Sequence, residues 1–135
     1  MMARIFIAIR LTEEFKRPLL LAQERLRERG VTGSFTTADN LHLTLAFIGE
    51  TELVEEIKRI VSAIRFESFE METAALGCFE PTRILWMGTT AEDRLTALAN
   101  ELRGRLAESG ISFTTLAFKS HITLVKKPSR FLTDI

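Results

Sequence analysis

Apolar residues along this chain keep two periods. Ile5-Phe6-Ile7-Ala8-Ile9 is a compact, β-branched run and predicts a buried strand. The period then lengthens: Phe15, Leu19, Ala22 and Leu26 recur at helical spacing. Thr12 offers an N-cap to that helix, Glu13 and Glu14 complement its dipole, and Gly30 supplies the stop. Residues 31–40, rich in Thr, Gly and Ser, read as a loop before a strand from Leu41 to Ile48 that Gly49 ends. Leu53, Val54, Ile57, Ile60, Val61 and Ile64 predict a second helix capped by Thr51. Between Phe66 and Phe79, alternation such as Phe69, Met71 and Thr73 predicts strand; Pro81 breaks the chain, and Ile84-Leu85-Trp86-Met87 reads as another. A third helix is carried by Leu95, Leu98, Ala99, Leu102 and Leu106, with Thr89 and Glu92 as its capping box and Gly110 as its end. A loop or short strand, 111–118, leads into a last strand at His121.

The elements repeat. His42 lies 38 residues after Arg4, and His121 lies 38 after Arg83. Each interval runs strand, long helix, loop, strand, so one supersecondary unit is used twice. The chain's two histidines open the same phrase in both copies: His42-Leu43-Thr44-Leu45 and His121-Ile122-Thr123-Leu124. In a strand, residues i and i+2 point to one face. Each phrase therefore presents an imidazole and a hydroxyl on one side and two aliphatic groups on the other. A chance match of both histidines to x-Thr-Leu has odds on the order of 10⁻⁴, against the false-positive risk of short motifs. One such strand histidine alone is usually packing. The duplication is the signal.

The stretch Asp39-Asn40-Leu41-His42-Leu43-Thr44-Leu45-Ala46-Phe47-Ile48-Gly49-Glu50, with Phe118-Lys119-Ser120-His121-Ile122-Thr123-Leu124, resembles the two-histidine (2H) phosphoesterases. More narrowly it is similar to the RNA 2′,3′-cyclic phosphodiesterases, also called 2′-5′ RNA ligases. The resemblance runs from about Arg4 to Lys127. It implies an α+β fold: a bilobal, pseudo-twofold repeat of mainly antiparallel sheet, helices packed outside, and an active-site cleft between the lobes. It implies His42 and His121 as catalytic acid and base, and Thr44 and Thr123 as phosphate contacts. Relatives often carry a basic residue five positions after the second histidine, here Lys126, a point charge in place of a planar arginine fork. Family members extend further, with strands that complete the sheet. The expectation is thus one domain, 1–135, lacking those C-terminal strands and leaving an open sheet edge that a second copy of the chain can cover.

Composition narrows the partners. A length of 135 residues suits a single core, and 46% hydrophobic with 27% charged residues is ordinary globular composition. Eighteen basic and eighteen acidic side chains cancel, so the broad positive field of a protein coating long nucleic acid is missing. RNA contact should be local, at an end or a single nucleotide. Cys78 is alone, which excludes an intrachain disulfide, suits a reducing cytoplasm and reads as a small core residue. No apolar run reaches the span of a membrane helix, and Ile5–Ile9 is too short for a signal segment.

Histidine titrates at roughly pH 6.5, so near neutrality one imidazole can hold a proton while another lacks it. Opening a cyclic phosphodiester needs both services: deprotonating water and protonating the departing oxygen. Threonine hydroxyls can hold the non-bridging oxygens. The arrangement requires no metal and no cofactor, and its substrate is an RNA terminus or a cyclic nucleotide. A different class, an RNA- or nucleotide-binding module that keeps the pocket without turnover, fits the short C-terminus. A two-histidine metal site lacks its third ligand. Lys119, Lys126, Lys127 and Arg130 read first as a solvated terminus, and Phe35, Phe47, Phe113 and Phe118 first as core, with base stacking the rival.

Overall fold

The computed structural model describes residues 2–79, 83–114 and 116–128. The order is β1 (Ala3–Arg10), α1 (Glu13–Glu28), β2 (Ser34–Phe35), a 3₁₀ turn (Ala38–Asn40), β3 (His42–Thr51), α2 (Val54–Ala63), β4 (Thr73–Cys78), β5 (Leu85–Thr89), α3 (Glu92–Glu108) and β6 (His121–Lys126). The fold is α+β. β2, β6, β5 and β4 form one sheet in that order, with each neighbouring pair antiparallel, and β1 hydrogen-bonds to β3 in a second sheet.

The repeat is visible in this order. β1-α1-β3 and β5-α3-β6 follow the same path, and each histidine strand is hydrogen-bonded to the strand that opens its own copy. The chain divides into two compact units, each assembled from separate stretches. The first, Met1–Ile9, Thr44–Glu70 and Ala91–Ser120, holds β1, most of β3, α2 and α3. Its core is Leu45, Ala46 and Ile57 with the α3 stripe Leu95, Leu98, Ala99, Leu102 and Leu106. The second, Arg10–Leu43, Met71–Thr90 and His121–Ile135, holds α1 and the four-stranded sheet, packed around Leu19, Leu26, Leu43, Leu85, Ile122 and Leu124. Burying each such leucine or isoleucine contributes about 1.5–3 kcal/mol.

Local signals hold where no sheet competes for them. The Thr12 hydroxyl accepts from the Phe15 N–H at 3.1 Å, so α1 starts as its cap predicts. The capping box at Thr89 does not form: Thr89 is buried in β5 opposite Thr73, and the N-cap of α3 is Ala91, whose φ is +58° and which makes no side-chain cap bond. The hydroxyl of Thr90 instead accepts from the Glu72 N–H at 2.8 Å, so this corner ties β4 to β5. Thr51 likewise stays in β3, which runs through Gly49 (φ +84°), and its hydroxyl accepts from the Leu53 N–H ahead of α2. The strand predicted over 66–79 is confined to Thr73–Cys78, the part that pairs with β5; residues 64–72 lack regular structure. β1 is not the buried strand its composition predicts, because none of its eight residues is buried. Pro81 lies outside the described residues.

Candidate active site

The alternation predicted for the two phrases is present in both strands. His42 and Thr44 are half-buried while Leu43 and Leu45 are buried; His121 and Thr123 are half-buried while Ile122 and Leu124 are buried. Neither imidazole points into its core. Position by position, the burial sequence of 42–47 is that of 121–126.

Lys126 poses a question of parity, since five residues from His121 is an odd count. The strand register answers it. Gly88 opposes His121, Met87 opposes Ile122 and Trp86 opposes Thr123, but Leu85 opposes Val125, so Leu124 is one extra residue in β6. Opposed residues share a sheet face. Trp86 and Leu85 lie on opposite faces, which puts Val125 opposite to Thr123 and returns Lys126 to the face of Thr123 and His121. A β-bulge re-aims side chains in this way. Phe47 takes the matching place in β3, exposed, with the Arg4 guanidinium 5.1 Å from its ring centre.

His121 stands against two aromatic rings that the sequence pattern did not single out. The Phe79 ring lies 4.9 Å from the imidazole at 81°, and Trp86 lies 6.2 Å away at 71°. Phe79 and Trp86 also contact each other at 5.1 Å. Gly77, opposite Trp86, makes room: a Cβ there would clash with the indole. Gly88 opposes His121, and a Cβ there would make ordinary contact with the Trp86 ring at 3.4 Å. A strand period marks Trp86 as facing one way or the other, but only the register shows that it faces His121.

The remaining candidates are distributed. Lys119, Lys126 and Lys127 are exposed, and Arg130 lies outside the described residues. Phe35 is half-buried with the Arg27 guanidinium 4.1 Å from its ring centre, and Phe113 and Phe118 flank Arg103 at 5.8 and 6.0 Å. Cys78 is half-buried, less enclosed than a core reading implies, because it closes β4. Both histidines belong to the second unit, with Thr123 and Lys126; Thr44 belongs to the first. Among the described residues no group of three or more His, Cys, Asp or Glu side chains could hold a metal ion, and no helix is long and apolar enough to cross a membrane.

Comparison with known proteins gives a consistent picture. A LigT-like phosphoesterase family model matches residues 9–86, a segment that includes His42. An RNA 2′,3′-cyclic phosphodiesterase of Thermotoga maritima is 36% identical over 130 residues, which cover 90% of this chain and 68% of that protein. One from Escherichia coli K12 is 34% identical over 133 residues, covering 96% and 75%. Among solved structures, E. coli LigT complexed with 3′-AMP superposes with a TM-score of 0.77 at 33% identity, covering 94% of this chain and 73% of that one.

Proposed function

The chain belongs to the LigT-like phosphoesterases, and from that premise we propose that it hydrolyses 2′,3′-cyclic phosphates at RNA ends or on nucleotides, leaving a 2′-phosphate. The observation that carries this reading is the matched pair of His-x-Thr strands, each with imidazole and hydroxyl on the half-exposed face. In the proposed step a water oxygen attacks phosphorus while His121 takes its proton. The P–O3′ bond breaks, and His42 gives its proton to the departing O3′. Thr44, Thr123 and Lys126 hold the phosphate oxygens through hydrogen bonds and charge. The E. coli relative is seen with 3′-AMP, a nucleoside monophosphate, which supports a nucleotide as the class of ligand.

The chemistry needs no metal on this reading, since two imidazoles supply both proton transfers. The same site run backwards joins ends through a 2′-5′ linkage. We place the protein in the reducing cytoplasm, where the lone Cys78 stays a thiol. On the same reading a second copy of the chain covers an open sheet edge, a state that sedimentation velocity at several concentrations reads directly.

The test is hydrolysis of a 2′,3′-cyclic nucleotide by the full chain, with and without a chelator, followed by phosphorus NMR. The expected result is a 2′-monophosphate formed at the same rate in both. Loss of activity with chelator and its return with a divalent ion would overturn the metal-free mechanism. No turnover in either, with cyclic nucleotide still bound, would make the chain a binding module.

A further inference from the structure

Two polar side chains, one from each repeat's long helix, make the same unusual connection. Gln23, on α1 and 2% exposed, donates both protons of its amide nitrogen to backbone carbonyls: to Thr36 at 2.8 Å and to Leu124 at 3.0 Å. Thr36 lies six residues before His42, and Leu124 lies three after His121. Arg103, on α3, donates from Nε to the Leu45 carbonyl at 3.1 Å and from Nη1 to the Leu116 carbonyl at 2.7 Å. Leu45 lies three residues after His42, and Leu116 lies five before His121. Each helix thus joins the loop that leads to its own repeat's histidine to the strand that carries the other.

Backbone bonds reinforce both joints. The Thr36 N–H donates to the Leu124 carbonyl at 2.9 Å, extending the β2–β6 ladder, and the Thr114 N–H donates to the Phe47 carbonyl at 2.9 Å. Leu124 is the extra residue of the β6 bulge, where the ladder with β5 is interrupted. A primary amide suits two acceptors at one point, and a guanidinium fork suits two set further apart. Burial draws the Arg103 guanidinium below its ordinary pKa, the cost of placing a cation there.

We propose that Gln23 and Arg103 are positioning residues, pseudo-equivalent struts that each fix, within one unit, the loop before one histidine against the strand that carries the other. The inference rests on the phosphodiesterase reading above but has its own readout. The chain has only two histidines, so proton NMR of the full chain shows two sets of imidazole resonances, assigned with His42→Ala and His121→Ala.

Gln23→Met keeps the volume and removes both donors; Arg103→Lys keeps the charge and removes the fork. Each should lower kcat by roughly 10- to 100-fold with KM changed far less, the effect of small misplacement of catalytic groups. Each should also move both imidazole resonances. Leu19→Ala is the control, since it loosens α1 at a fully buried position that takes no part in the hydrogen bonds of either joint. It should lower the melting temperature while leaving the imidazole resonances in place. Should Gln23→Met not fold, Arg103→Lys at its partly exposed site carries the test alone. Struts with unmoved resonances and kcat within about twofold of the parent, or a control that matches their loss of kcat at equal melting temperature, overturn the proposal. A parent chain without turnover defeats the phosphodiesterase reading only, because the resonances still report on the struts.

Discussion

At the scale of single residues, the two phrases differ in what surrounds them and not in their own geometry. His121 is walled by Phe79 and Trp86, while β3 carries an arginine-stacked Phe47 where β6 has Lys126. His42→Ala and His121→Ala should each lower turnover by roughly 10² to 10⁴-fold, the range for a lost general acid or base. The double variant should lose much less than the product of the two, because groups that act as a unit are not additive. Steady-state kinetics with folding verified by circular dichroism checks both. Thr44→Val and Thr123→Val should cost less, about 1–3 kcal/mol of transition-state stabilisation each, as for a hydrogen bond to a charged oxygen. Lys126→Arg should retain activity and Lys126→Met should weaken it, because the bulge at Leu124 aims this side chain at the face of Thr123.

At the scale of elements, the four-stranded sheet is what shapes the surroundings of His121. Gly77 lets the indole of Trp86 lie over β4, where a Cβ would clash with the ring. Gly77→Ala should therefore displace the chain's one tryptophan and destabilise the fold by about 1–3 kcal/mol, the usual cost of overpacking. Tryptophan emission and a thermal melt read the two effects separately. The same sheet explains why one helix start departs from its local signal. Thr89 has the right spacing to Glu92 for a capping box, but its pairing with Thr73 holds its backbone extended, and α3 begins without a side-chain cap.

At the scale of the molecule, the expected signature is a pH optimum. The proposed mechanism uses one group as acid and another as base, so kcat/KM should rise and then fall as pH increases. Replacing one histidine should remove one limb, and comparing the two variants assigns acid and base. Equal profiles for parent and both variants, at measurable turnover, would mean that the imidazoles do not carry the protons.

What the sequence determined alone was whatever depends on near neighbours in the chain. The i, i+2 geometry of His42 with Thr44 and of His121 with Thr123 is a local property of extended backbone, so the half-exposed and buried positions alternate as read. The helical stripes of α1 and α3 and the Thr12 cap are local in the same sense. The 38-residue repeat, too, is arithmetic on the chain. Tertiary structure decided what depends on partners distant in sequence. The run Ile5–Ile9 looks like a core strand, but burial depends on what covers it, and no residue of β1 is buried. Lys126 returns to the face of His121 only because β6 carries one residue more than β5 can match, a property of the pair and of neither strand. Gln23 and Arg103 read as ordinary polar helix positions; they become joints because folding brings to each of them two backbone carbonyls from separate segments of the chain.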